Sequence, residues 1–207
     1  MTKPMLGVIA VLVGCGGGKK MGTEETLAVK AKAPPEVVQR ARDCDKSPKQ
    51  GCGRLAGQYL MGQTVPKDTA RARMLAEKAC GAGDQIGCFN LGYMYSHGVE
   101  MKQDFAKAGE LYQGACGAGI MDACYNIGEF EELGQGREQS LERAMAQYKT
   151  VCDHGEQWGC VPLARLLKPS DEAAARAMAD KACKAGEKDG CKLIEEWDGG
   201  GTGVNAP

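Results

Sequence analysis

Cysteine is the residue type in this sequence with the widest range of possible chemistry, and its spacing is regular. Ten of the eleven cysteines form five pairs, each with seven residues between its two members. The pairs are Cys44 and Cys52, Cys80 and Cys88, Cys116 and Cys124, Cys152 and Cys160, and Cys183 and Cys191. Paired thiols can hold zinc, take part in thiol–disulfide exchange or form structural disulfides, and the spacing bears on each possibility.

A metal site or a redox site is disfavoured by this spacing. Structural zinc takes four ligands, usually from two short clusters of the type C-x2–4-C or H-x3–5-H. The chain has two histidines, His97 and His154, which are expected in loops at opposite ends of a helical stack. The C-x-x-C motif of thioredoxin-like proteins does not occur in the sequence. We therefore predict no metal site and no cofactor.

Disulfides within each pair are the favoured interpretation. The first cysteine is expected in the last turn of one helix and the second in the first turn of the next, with a glycine-containing turn between them. Such a corner can bring the two Cα atoms within the roughly 4.4–6.8 Å that a disulfide requires. We predict five bridges, each inside its own pair, with reduced buried cysteines as the alternative.

The cysteine pairs belong to an internal repeat. They recur every 36 residues from Cys44 to Cys152 and then once after 31, a period typical of helical solenoids. Good helix N-cap residues stand twelve positions before the first cysteine of each later pair, at Asp68, Asp104, Ser140 and Asp171. Glycines suited to a left-handed turn stand three positions after it, at Gly83, Gly119, Gly155 and Gly186. The segment between cap and glycine is predicted to be helix B of each unit.

Helix A is predicted to begin near the second cysteine of each pair. It is expected to end at Gly62, Gly98 and Gly134 in the first three units, and Pro169 shortens it in the fourth. Gly92 and Gly128 inside helix A are predicted to mark close helix contacts, because glycine costs about 1 kcal/mol in a helix relative to alanine. The sequence thus predicts an all-α protein, an α/α solenoid of helix pairs.

One stretch connects this repeat to a known family. "CFNLGYMYSHGVEMKQDFAKAGELYQGACGAG", residues 88–119, resembles the Sel1-like repeat, a relative of the tetratricopeptide repeat. With its C-x7-C pairs the chain is similar to the Helicobacter cysteine-rich protein (Hcp) family. The resemblance covers residues 36–197 and implies units at about 52–87, 88–123, 124–159 and 160–190, with half-repeats at 36–51 and 191–197. In the third unit Glu131 departs from the pattern, because Tyr59 and Tyr95 stand at the matching positions.

The N-terminus has the layout of an export signal. Lys3 precedes an apolar run over residues 5–13 and a small Gly14. The sequence "LVGC" resembles the bacterial lipobox, which implies that Cys15 becomes the lipidated first mature residue; an ordinary cleaved signal is the alternative. We therefore expect a signal peptide at 1–14, a flexible tether at 15–35 and a disordered tail at 198–207. The expected location is the bacterial outer membrane, cell surface or periplasm, with the membrane contacted through the lipid alone.

Charge and motifs narrow the function classes. Twenty-six basic residues stand against 27 acidic ones, which argues against a nucleic-acid partner. The Hcp resemblance brings an association with penicillin binding and β-lactam hydrolysis. The S-x-x-K, S-D-N and K-T-G motifs of serine β-lactamases do not occur in the sequence, nor does G-x-S-x-G. No catalytic residue is predicted, and a β-lactamase or a purely structural envelope lipoprotein remains an alternative to a binding scaffold.

A partner-binding face is expected along helix A. By the tetratricopeptide resemblance, the residue before the helix A leucine points into the concave groove; these residues are Arg54, Asn90 and Asn126. A second position in the same register holds Tyr93, Glu129 and Arg165. The alternative is that all six are solvated surface or capping residues. The expected partner of this monomeric scaffold is a protein, a peptide or a peptidoglycan-derived ligand.

Overall fold

The described part of the chain consists of helices joined by turns and short loops. A computed structural model describes residues 33–199, so the predicted signal peptide, Cys15, nearly all of the tether and the tail beyond residue 199 lie outside it. Within residues 33–199 there are ten α-helices, one short 3-10 turn at Gln157–Gly159 and no strand. The helices are α1 Pro35–Lys46, α2 Pro48–Met61, α3 Thr69–Gly81, α4 Gln85–His97, α5 Phe105–Gly117, α6 Met121–Leu133, α7 Leu141–Asp153, α8 Cys160–Leu167, α9 Glu172–Lys184 and α10 Lys188–Gly199.

The helices follow one another as the alternating B and A helices of a solenoid. Each packs against the helices before and after it in the chain, and α2 also contacts α4 while α8 contacts α10. The even-numbered helices are therefore helices A and the odd-numbered ones helices B. The predicted fold class, an all-α solenoid of helix pairs, is confirmed.

The predicted start signals of helix B are confirmed. The side chains of Asp68, Asp104, Ser140 and Asp171 each accept a hydrogen bond from a backbone N–H three residues later, in the first turn of α3, α5, α7 and α9. Such a bond satisfies one of the N–H groups that a helix N-terminus leaves without an intrahelical partner.

The predicted glycine stops are also confirmed. Gly62, Gly98 and Gly134 end α2, α4 and α6 with φ values of 70°, 66° and 69°. The glycines of the B-to-A turns have φ between 82° and 95°, a region that disfavours residues with a Cβ.

Helix A begins earlier than the cysteine register suggested. Asp84 caps α4 by accepting from the Ile86 N–H, so that helix starts three residues before Cys88. The final helix runs over Lys188–Gly199, three residues longer at its start and two at its end than the half-repeat expected at 191–197. The short fourth helix A is as predicted, since α8 has eight residues.

Each corner between helix B and helix A carries one disulfide. The five bridges join the members of each pair, with Cα–Cα distances of 4.5–4.8 Å. The residue before the second cysteine is glycine in four of the five corners, at Gly51, Gly87, Gly159 and Gly190. A Cβ at any of these positions would lie within 2.3–2.7 Å of the preceding helix. The cysteine spacing predicted the bridges, but this second glycine requirement was missed.

Gly92 and Gly128 do mark close helix contacts. A Cβ at Gly92 would lie 2.8 Å from Cε1 of Tyr112, and one at Gly128 would lie 2.7 Å from Cε1 of Tyr148. Both tyrosines are 1% exposed, so their rings have little room to move away. The ring of the B helix therefore fills the space that glycine leaves on the A helix.

Alanine at Gly92 should destabilise the fold although alanine favours helix. We expect Gly92→Ala to lower the free energy of unfolding by about 1–3 kcal/mol, because the methyl group overpacks against the Tyr112 ring. The measurement is urea unfolding of the oxidised protein. Gly117→Ala is the matched control, since a Cβ there meets no atom within 4 Å and Gly117 also lies in a helix. Equal stability of the two variants would contradict the packing role.

Candidate binding groove

A groove of about 500 Å³ lies between α2 and α4. Side chains from α1 and from the start of α6 complete it. It is lined by Arg40, Arg54, Gly57, Gln58, Met61, Gln63, Ile86, Phe89, Asn90, Ile120 and Asp122. Two of the predicted partner-binding residues, Arg54 and Asn90, are thus brought together in one groove, whereas Tyr93, Asn126, Glu129 and Arg165 do not line it.

The groove exists because one helix A position lacks a side chain. Gly57 stands in the register of Tyr93, Glu129 and Arg165, so the first unit has a hydrogen atom where the later units have large side chains. A Cβ at Gly57 would point at the amide of Asn90, with its nitrogen 3.3 Å away. The missing side chain is visible in the sequence when the units are aligned at this register, but the prediction of a binding face did not include Gly57.

The groove combines an apolar part with positive charge. The apolar lining consists of Ile86, Phe89 and Ile120, which are partly buried, and of Met61, which is 49% exposed. Arg40 of α1 and Arg54 of α2 contribute guanidinium groups. Such a mixture suits a side chain that inserts among apolar groups while its polar neighbours are hydrogen-bonded at the edge.

Asn90 is less accessible than expected for a partner-binding residue. Its side chain is 6% exposed, and its amide nitrogen donates to the carbonyl oxygen of Gly53 at 2.9 Å. The N–H of Gly53 in turn donates to Asp84 at 3.1 Å. Asn90 and Asp84 together therefore tie α4 to the backbone of α2, and binding of a partner by Asn90 stays a prediction beside this structural role.

Asn126 is also engaged inside the solenoid. It hydrogen-bonds the hydroxyl of Tyr112, whose other neighbour is the Ser96 hydroxyl at 3.2 Å. Burial raises the pKa of Tyr112 to about 12, although these two hydrogen bonds act in the opposite direction. The asparagine of the third unit thus connects α6 to α5, while Ser96 adds α4 to the same contact.

The residues at the second predicted position, Tyr93, Glu129 and Arg165, lie outside the groove on three successive A helices. Tyr93 stacks on the ring of His97, with ring centroids 4.0 Å apart. Glu129 is partly buried on α6, and burial, followed by the charge of Glu132, raises its pKa, while the charge of His97 acts the other way. Arg165 is exposed on α8. Partner binding by Tyr93, Glu129 and Arg165 stays a prediction.

Glu131 has a structural partner rather than a free carboxylate. It is 4% exposed, and one of its oxygens lies 3.1 Å from Arg137 and 3.4 Å from Arg143. Arg143 stands in the register of Arg71 and Lys107, which lie over the rings of Tyr59 and Tyr95 at 5.0 and 5.4 Å. The third unit thus keeps the cation and exchanges the aromatic ring for a carboxylate.

Among residues 33–199 there is no group of three or more His, Cys, Asp and Glu side chains placed to hold a metal ion. None of the helices in that range is both long enough and apolar enough to cross a bilayer. The Ser96 hydroxyl lies 2.7 Å from Nδ1 of His97, but the same ring nitrogen also lies 3.0 Å from the Tyr93 carbonyl. This contact closes the end of α4.

The repeated helix pairs and bridged corners define an α/α solenoid of the tetratricopeptide-like class. The Sel1 repeat family model matches residues 50–84, 85–119 and 122–149. The chain therefore contains three Sel1 repeats between residues 50 and 149. No curated protein matches the sequence.

Solved structures share this architecture. A Sel1 repeat protein from Oxalobacter formigenes has a TM-score of 0.71 at 21% identity, over 89% of this chain and 78% of that chain. The protective antigen c5321 of uropathogenic Escherichia coli, which displays an SLR fold, has a TM-score of 0.66 at 21% identity, over 74% of this chain and 35% of that chain. Helicobacter pylori cysteine-rich protein B has a TM-score of 0.48 at 22% identity, over 60% and 94% of the two chains.

Removal of the Asn90 amide should weaken the contact between the first two units. We expect Asn90→Ala to lower the free energy of unfolding by about 1–3 kcal/mol, because the buried amide no longer reaches the Gly53 carbonyl. Arg54→Gln, at an exposed position in the same groove, is the control and should change stability by less than about 0.5 kcal/mol. Urea unfolding measures both. If Asn90→Ala is as stable as Arg54→Gln, the bond to Gly53 contributes nothing.

Proposed function

We propose that this protein is an exported scaffold that binds an extended segment of a protein partner in the groove between α2 and α4. The observation that carries the proposal is the groove itself, which interrupts the repeat at Gly57 and contains both apolar and hydrogen-bonding groups. Sel1 repeats generally mediate protein–protein interaction. Repeat solenoids in general present extended concave surfaces to their partners.

An extended peptide matches the shape and chemistry of the groove. Its apolar side chain would lie against Ile86 and Phe89, and its backbone would meet the polar side chains of Arg54 and Gln58. Main-chain groups of an extended peptide need such partners, because binding removes them from water. The groove would thus supply both an anchor pocket and hydrogen bonds.

Export and lipid anchoring complete the proposal. Five disulfides suit an oxidising compartment outside the cytoplasm. The lipobox-like sequence around Cys15 suggests that the solenoid is held at a bacterial envelope membrane by acyl chains alone. Residues 33–199 offer no specific observation in favour of β-lactam hydrolysis or of a purely structural lipoprotein, so neither is proposed.

Filling the groove tests the proposed binding directly. Random dodecapeptides displayed on phage are selected on the immobilised wild-type chain, and the enriched sequences are synthesised for fluorescence polarisation. We expect Gly57→Tyr to weaken their binding at least about ten-fold, because the ring occupies the anchor pocket. Tyrosine already stands at this register in the next unit, at position 93.

The control for this experiment is Gly57→Ala. The nearest atoms to its methyl group belong to the Asn90 amide, at 3.3 Å or more, and the methyl group is much smaller than a tyrosine ring, so peptide affinity should stay within about two-fold of wild type. Circular dichroism and thermal unfolding confirm that both variants are folded. If no peptide distinguishes the wild type from Gly57→Tyr, the groove is not the binding site.

Lipid anchoring is tested at the predicted acceptor. We expect Cys15→Ser to abolish incorporation of a labelled fatty acid and to release the protein from the bacterial membrane fraction, because the acyl chains supply the hydrophobic anchor. Gly17→Ala is the matched control and should remain labelled. If Cys15→Ser stays in the membrane fraction as the wild type does, the prediction of a lipid anchor is wrong.

A further inference from the structure

We propose that the segment held in the groove is acidic, with carboxylate side chains next to a large apolar residue. This inference rests on the proposed function, because it names the chemistry of the occupant of the same groove. It follows from the excess of positive over negative groups in the lining and from the lack of ion pairs at its two arginines within residues 33–199.

Two guanidinium groups of the groove have no carboxylate partner among the described residues. Arg40 on α1 and Arg54 on α2 both line it, and within residues 33–199 neither forms an ion pair. Five of the other seven arginines in that range pair with carboxylates, whereas Arg42 and Arg165 do not; the five are Arg71, Arg73, Arg137, Arg143 and Arg176. The two groove arginines thus retain their capacity to bind an external carboxylate through paired N–H donors.

The charge of the groove differs in sign from that of the whole chain. The lining holds two guanidinium groups and one carboxylate, that of Asp122, whereas the chain has one more acidic than basic residue. A partner segment with negative charge is therefore attracted to this groove more than to the average surface. The apolar side chains of Ile86, Phe89 and Ile120 add a place for one large apolar residue.

The distribution of charge also gives the bound segment a direction. Both arginines lie on the first two helices, whereas Asp122 lies in the first turn of α6. Acidic residues of the partner are expected toward α1 and α2, and neutral or basic residues toward α6. Reversal of this order would place like charges together, which costs binding free energy.

The experiment compares the peptides selected on wild type with charge-altered versions of both components. We expect the enriched sequences to carry Asp or Glu next to Leu, Phe or another large apolar residue. Synthetic copies with Gln and Asn in place of those acids should bind at least about ten-fold more weakly, as should the original peptides to Arg40→Gln/Arg54→Gln. The affinity of the original peptides should fall with added salt.

A charge exchange separates this effect from loss of folding. Arg54→Glu should bind peptides whose acids are replaced by Lys better than it binds the original acidic peptides. The inference is overturned if the enriched peptides are neutral or basic, or if Arg40→Gln/Arg54→Gln binds the acidic peptides as wild type does. With either result, continued loss of binding in Gly57→Tyr would leave the proposed groove intact.

Soluble peptidoglycan fragments form the last arm of the experiment, because they also carry carboxylates. Fragments released by lysozyme are added as competitors to the bound fluorescent peptide. We expect no displacement at concentrations at which the unlabelled peptide competes fully. Displacement by the fragments at lower concentrations than the peptide would show that the groove takes a cell-wall ligand instead of a protein segment.

Discussion

The close approach of two helices at each disulfide-bridged corner is the constraint on which the rest of the solenoid depends. Cα atoms 4.5–4.8 Å apart leave no room for a side chain immediately before the second cysteine in most corners, and glycine stands there in four of five. Each unit of a solenoid contacts only its neighbours, so no large central core can compensate for a loose corner. The bridge restricts the unfolded chain at each corner, and in the chain-entropy model a loop this short contributes about 2.5 kcal/mol.

The same small-residue chemistry continues inside the units. Tyr112 and Tyr148 of the B helices lie against Gly92 and Gly128 of the A helices, so one ring fills the space left by one glycine. With aromatic residues at 5% of the chain, single rings placed against glycine supply much of the buried bulk available in the middle units. Dense packing thus results from helix backbones that approach closely at glycine and from a few aromatic rings that pack against those glycines.

Much of this architecture could be predicted because its signals are local and repeated. Asp68 starts a helix through its own side chain and Gly98 ends one through its own φ, and equivalent residues recur in the same register in three or more units. The binding groove could not be predicted in this way, since it depends on contacts between units that differ at each step. Asn90 was expected on an open face, but its amide donates to the Gly53 carbonyl in the contact between α2 and α4, where Asp84 accepts from the Gly53 N–H. The next unit has Phe89 and Ile120 in place of Gly53 and Asp84, so the same register holds a different contact.

A repeat protein acquires an individual site where one unit departs from the others, and two departures here have opposite effects. Glu131 replaces the repeat tyrosine, but its carboxylate forms ion pairs with Arg137 and Arg143, so its charge is compensated within the structure. Gly57 removes a side chain, and although the Asn90 amide approaches the vacated position, a groove remains. Within residues 33–199 the two groove arginines, Arg40 and Arg54, also form no ion pair with a carboxylate. Because an unfilled apolar pocket and unpaired charges both favour an external occupant, the departure at Gly57 is the one that points to binding.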